Sequence, residues 1–271
     1  MIAASHLKAS RGIRIRPIAL PVEHGGWGLL FEPIVLGLLL APSLAGLFLS
    51  VGAMGAFLAR HPLKLSIGDW RRNRRSERTA LAERFAILYF VIATFGLAFA
   101  IKNGGPGVVF PLLFAVPIAI IQWFYDAIGR SRTLMAELAG SISIGAVAAA
   151  IAIAGGWPPP AAFGLWVILA ARTVPTILYI RARLRLLHRK SASPGVVITV
   201  HLLAILIVFG LARAGVVPFL AVAALVILLL RAVIGFSKSG KRVTPKRLGL
   251  RELGFGAMTV FAVVLGHVVG W

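Results

Sequence analysis

The 29 lysines and arginines of this chain punctuate an otherwise apolar sequence, and their placement limits what it can fold into. All but Lys102, Arg172 and Arg213 fall in five clusters: the segment from Lys8 to Arg16, and residues 60–84, 126–137, 181–190 and 231–251. Between clusters run pairs of long apolar stretches joined by short, nearly uncharged turns. Those turns are Ala41-Pro42-Ser43, Asn103-Gly104-Gly105-Pro106-Gly107, Gly155-Gly156-Trp157-Pro158-Pro159-Pro160 and Arg213-Ala214-Gly215. Alternating basic and neutral connections are the charge pattern of a polytopic membrane protein whose basic loops stay in the cytoplasm. The bulk composition agrees: 59% of residues are hydrophobic and only 14% charged, against about a quarter charged in soluble domains.

A bilayer core of about 30 Å takes ~20 apolar residues as helix. Spans are expected near residues 25–42, 43–60, 83–101, 107–124, 137–154, 161–181, 195–212, 216–235 and 253–270. The chain therefore reads as an all-α polytopic membrane protein of about nine transmembrane helices, arranged as four hairpins and a ninth helix. The charge asymmetry puts the N-terminus in the cytoplasm and the C-terminus outside. One integral membrane domain covers 1–271, with a basic cytoplasmic segment at 1–24 and the helical bundle at 25–271. The basic N-terminal stretch runs into Pro17 and Pro21 without a small-residue cleavage pattern, so the first span is expected to be retained. The first hairpin is the tightest, with about 17 residues per helix, near the lower limit for a crossing.

Several chemistries are excluded at this stage. In a soluble protein a net charge of +21 would point to nucleic acid. Here the basic residues sit between spans, where topology and anionic lipid account for them, so the expected partners are the bilayer and anionic lipid and not nucleic acid. The chain has no cysteine, which removes disulfides, thiol catalysis and zinc–thiolate sites. No phosphate-binding loop, dinucleotide fingerprint, Ser-His-Asp order or metal-ligand spacing occurs.

Polar residues inside the apolar stretches are the candidates for function, because a charge at mid-bilayer costs about 2.5–3.5 kcal/mol. Glu32 lies nine residues after Glu23, and Arg172 nine residues before Arg181, which places both about 13 Å from the basic side. Glu32 and Arg172 are expected to approach each other and line one central cavity, or to form an ion pair that fixes helix packing. Glu23 and His24 open the first span beside Gly25, Gly26 and Trp27, and offer a carboxylate and a group that titrates near neutrality. Glu23, His24, Glu32 and Arg172 are thus the candidate catalytic set. Arg60, His61 and Lys64 after the second span, Asp126 and Arg130 after the fourth, and Arg181 and Arg183 after the sixth are the candidate head-group set. Arginine's planar fork suits a phosphate. Asp126 and Arg130, four residues apart, would pair locally on a continuing helix. Pro175 is expected to kink the sixth span near Arg172, while His201 and His267 read as packing residues.

The run Glu23-His24-Gly25-Gly26-Trp27 through Pro33 resembles the opening of the YwiC-like family of bacterial integral membrane proteins. Arg60, Pro62 and Leu63, and the stretch Ala171-Arg172 to Tyr179 and Arg181, resemble that family too. The resemblance implies a multispanning bacterial protein of the cytoplasmic membrane with no assigned activity. A more distant similarity is to UbiA-type prenyltransferases, which have nine helices with the N-terminus inside. Their Asp-rich motifs after helices two and six hold an isoprenyl diphosphate through magnesium. At those places this chain has Arg60, His61, Lys64, Asp69, Arg71 and Arg72, then Arg181, Arg183 and Arg185. Too few carboxylates are present for a magnesium–diphosphate site. The resemblance therefore implies a UbiA-like bundle without a motif-supported cofactor. Such a bundle would bind an isoprenoid or another anionic, phosphate-bearing lipid at a basic cavity, and if catalytic it would be a transferase acting on a membrane-embedded substrate. The competing expectation is a membrane carrier or non-catalytic subunit with Glu32 and Arg172 as its polar core.

Overall fold

In a computed structural model, residues 15–21, 24–237 and 244–270 are described, and their regular structure is entirely helical. The helices are α1 (Arg16–Ala19), α2 (His24–Leu40), α3 (Leu44–Arg71), α4 (Glu77–Gly104), α5 (Phe110–Ala127) and α6 (Leu134–Ala154), then α7 (Pro159–Leu187), α8 (Pro194–Arg213), α9 (Phe219–Ser237) and α10 (Pro245–Val269). Helices α3 to α10 are each long and apolar enough to cross a membrane. That makes eight such helices where nine spans were expected. The ninth apolar segment is present as α2, whose 17 residues reach only about 25 Å at 1.5 Å per residue.

Local signals set the ends. Ser43 accepts a hydrogen bond from the Gly46 amide at 3.0 Å and starts α3. Thr133 and Thr244 cap α6 and α10 in the same way. Proline occupies the first helical positions of α7, α8 and α10, where its missing N–H costs no intrahelical bond. The expected spans are extended chiefly on the basic side. The second runs to Arg71 and not 60, the third begins at Glu77 and not 83, and the sixth continues to Leu187 and not 181. Outside the apolar core, charged residues continue a helix as readily as leucine does. Much of what reads as basic loop is therefore basic helix.

Helix α6 is the hub, packed against α2, α3, α5 and α7. Its run Gly145 to Ala152 is buried throughout, and small side chains allow neighbours to approach it from several sides. Around it, α7 meets α8, α8 meets α9, and α10 closes against α9 and α2. Helices α3 and α4 form the tightest hairpin: a Cβ on Gly96 would lie 2.6 Å from the Gly52 Cα. Large apolar side chains cover the outside, with Phe90 65%, Phe114 64% and Leu206 64% exposed. Such a surface belongs in lipid, and the chain is a multi-pass membrane protein. Pro175 is buried within an unbroken α7, as a spanning helix with a lost backbone bond requires.

Candidate functional site

Two polar features stand out, and the fold keeps them apart. The first is a buried charge network between α2, α7, α9 and α10. Glu32 and Arg172 meet at 2.9 Å, with side chains 11% and 3% exposed. Arg172 also donates to the Glu252 carbonyl oxygen at 2.9 Å. The Glu252 carboxylate in turn pairs with Arg231. Arg231 lies over the Tyr179 ring, 4.2 Å from its centroid. Gly256 makes room for the first pair, since a Cβ there would sit 2.7 Å from the Glu32 carboxyl carbon and 2.8 Å from Arg172 Nη2. Two opposite pairs linked through one carbonyl hold four helices together without leaving a net charge.

The second feature is a cavity of about 740 Å³ between α2, α3, α4, α5 and α6. Its interior is apolar: Leu29, Leu49, Leu97, Leu112 and Val147 are among the lining residues. Ser141 and Ser143 also line it, but their hydroxyls donate back to the carbonyls of Leu138 and Gly140. The charged lining residues are Arg60, Arg132 and Glu137, and all three lie at the basic end. From Arg60 to Leu49 along α3 is eleven residues, about 16 Å of helix, roughly half of a bilayer core. Helix α4 packs chiefly on α3, and α5 on α6. The cavity is lined by Phe90, Ala93 and Thr94 from α4 and by Val116, Ala119 and Trp123 from α5. Phe90, Val116 and Trp123 are exposed, so this rim faces sideways, where lipid surrounds the bundle.

The basic end is organised by the extension of α3. Arg60, Lys64 and Arg71 share one face of that helix at intervals of four and seven. Arg60 grips Asp126 at the end of α5 through Nε at 2.6 Å and Nη2 at 3.1 Å. With its oxygen turned toward Arg60, the Gln122 amide accepts from Nη1 at 3.2 Å and Nη2 at 3.1 Å. Lys64 donates to the Ser131 hydroxyl at 2.6 Å, and Arg71 to the Ala127 carbonyl. Across the mouth, Arg181 pairs with Glu137 at 2.8 Å and donates to the Arg132 carbonyl at 3.1 Å.

The structure brings together part of each expected set. Glu32 and Arg172 do meet, but neither lines the cavity: they are packed among helices, so the shared-cavity expectation is corrected to a closed ion pair. Glu23 and the His24 side chain lie outside the described residues. Asp126 pairs with Arg60 and not with Arg130, because α5 ends at Ala127 and the chain turns at Gly129, φ +74°. Arg60, Lys64 and Arg181 gather at the basic end, whereas His61 faces the Pro17 carbonyl at 3.0 Å. Arg183 points elsewhere: it donates to the Gly235 carbonyl on α9 at 2.7 Å. Two residues along a helix turn a side chain about 200° away, so Arg181 and Arg183 cannot serve one site. Sequence reasoning missed Gln122, Arg132 and Glu137 as lining residues, and Arg231 and Glu252 as a second buried pair. The scarcity of acid was the available signal. With eight carboxylates against 29 cations, each one has its choice of partners. Among the described residues, no three His, Asp or Glu side chains cluster as metal ligands would.

Residues 20–152 match the family model described as YwiC-like protein. Every lining residue of the cavity except Ile177 falls inside that stretch, while Arg172, Arg231 and Glu252 fall outside it. No curated protein and no solved structure matches the chain.

Proposed function

For this YwiC-like, multi-pass membrane protein we propose binding of a membrane amphiphile, with its apolar tail in the cavity between α3, α4, α5 and α6 and its anionic head at the basic end. The observation that carries this reading is the polarity gradient of one space: leucine, valine and alanine deep inside, with arginine and glutamate only at the mouth. An amphiphile matches both ends at once, and the sideways opening between α4 and α5 lets it enter from the bilayer. A volume of about 740 Å³ falls in the range of small-molecule sites. An isoprenoid or an acyl chain would serve as the tail.

In this reading the Glu32–Arg172 and Glu252–Arg231 pairs fasten the bundle and do not act on the ligand. The carrier reading needs a polar path at that depth, and the pair is instead closed in by protein. The reading also dispenses with the magnesium–diphosphate chemistry of UbiA-type enzymes. It needs neither an Asp-rich loop nor a bond-making step.

The test is thermal stability of detergent-purified protein with palmitoyl-lysophosphatidylglycerol, and with glycerophosphoglycerol as the head alone. Lipid at about 100 times its dissociation constant should stabilise the folded protein by ~2.7 kcal/mol. Glycerophosphoglycerol should not, and Ala119→Phe, which fills the cavity wall, should abolish the lipid effect. Equal stabilisation of the parent and Ala119→Phe proteins would refute the reading.

A further inference from the structure

Given that reading, we infer that the head group recognised at the mouth carries a single negative charge, as in a phosphodiester lipid or a fatty acid, and not a diphosphate. The argument is charge matching at the basic end. Arg60 is spent on Asp126, whose side chain is 7% exposed, in a two-bond fork that Gln122 completes. Glu137 is met by Arg181 at 2.8 Å. Those four charges cancel. Of the charged lining, that leaves Arg132, which has no carboxylate partner among the described residues and is exposed at the mouth.

Lys64 stands next to it, bound to the Ser131 hydroxyl at 2.6 Å, and can turn a proton toward an anion held at Ser131 and Arg132. Lys64 is a second cation, but it does not line the cavity and its ammonium is held by the Ser131 hydroxyl. A head group in the cavity therefore meets one guanidinium directly, which satisfies one anionic group through charge-assisted bonds. A diphosphate brings at least two charges to a mouth whose lining offers one cation without a carboxylate partner, Arg132, since Arg60 and Arg181 are already matched to Asp126 and Glu137. Recruiting Arg60 as a further cation for it would break the Arg60–Asp126 fork and strand a buried carboxylate.

The experiment compares four ligands on detergent-purified protein in the presence of a chelator: palmitoyl-lysophosphatidylglycerol, oleate, monooleoylglycerol and farnesyl diphosphate. The two monoanions should bind at least tenfold more tightly than neutral monooleoylglycerol, and the diphosphate no more tightly than the monoanions. The order of the two monoanions distinguishes a phosphodiester source from a carboxylate one. Arg132→Gln should collapse the tenfold preference, while Arg78→Gln, exposed at the start of α4 and not lining the cavity, should preserve it. Tighter binding of farnesyl diphosphate, or a preference that survives Arg132→Gln, would overturn the single-charge inference and leave cavity binding standing. Absence of binding by all four, the neutral one included, would bring down the cavity reading itself.

Discussion

Replacing Arg172 by methionine isolates what the buried pair contributes. The side chain is 3% exposed and lies 2.9 Å from Glu32, itself 11% exposed. Arg172→Met leaves a carboxylate in the bundle interior with no cation in reach, because Arg231 is committed to Glu252. Breaking a buried pair from one side costs about 3–5 kcal/mol, a large part of the 5–15 kcal/mol that typically holds a fold together. Removing both charges should behave differently. Glu32→Leu combined with Arg172→Met replaces the pair with apolar volume, and such replacements are about neutral or stabilising. The double variant should therefore recover most of the loss and unfold close to the parent. Unfolding of the detergent-purified proteins by titration with a denaturing surfactant gives the three values needed for a double-mutant comparison. A single variant that costs under about 1 kcal/mol, or a double variant no more stable than the single, would refute the view that this pair is a closed packing element.

The other expectations concern the basic end and the sidedness of the bundle. Arg60→Ala should destabilise the protein by about 2–4 kcal/mol by stranding Asp126, and adding Asp126→Asn should restore much of that, since the neutral amide no longer needs a cation; equal melting of the single and double variants would contradict it. Gly140→Ala places a Cβ 2.5 Å from the Gln122 amide carbon. The long side chain can swing aside into the cavity, so lipid affinity should fall with little change in melting temperature. Because the chain has no cysteine, Asn103→Cys and Arg74→Cys report the two ends cleanly. With an impermeant thiol reagent on intact cells, Asn103→Cys should label and Arg74→Cys should label only after lysis; the opposite pattern would invert the proposed orientation.

The bundle was legible because two physical signals coincide. Apolar runs of membrane length and the alternation of basic with neutral connections each count the helices, and a 17-residue α2 is the one place where length and count part company. Helix ends on the basic side were less legible, since hydropathy marks where lipid stops and not where helix stops. That is why Arg60, His61 and Lys64 read as loop residues yet stand on α3. The meeting of Glu32 with Arg172 could be argued from matched depth, because charges in a membrane must find each other. Whether they bordered a cavity could not, since that depends on which faces α2 and α7 turn toward α10. Gly256, the residue that lets the pair close, carries no mark in the sequence beyond being glycine. The true cavity escaped notice for the opposite reason: its walls are ordinary leucine, alanine and phenylalanine, and only three-dimensional placement distinguishes them from lipid-facing neighbours.

The most direct test of amphiphile binding is to locate the tail. A fatty acid with a photoreactive group at its methyl end, activated on the detergent-purified protein and mapped by peptide mass, reports where that end resides. The cavity account predicts attachment deep between the helices, at Leu49, Leu97, Leu112 or Val147, and its loss in Ala119→Phe. Attachment confined to outward-facing residues such as Phe95, Leu113 or Leu206, unchanged by Ala119→Phe, would contradict it.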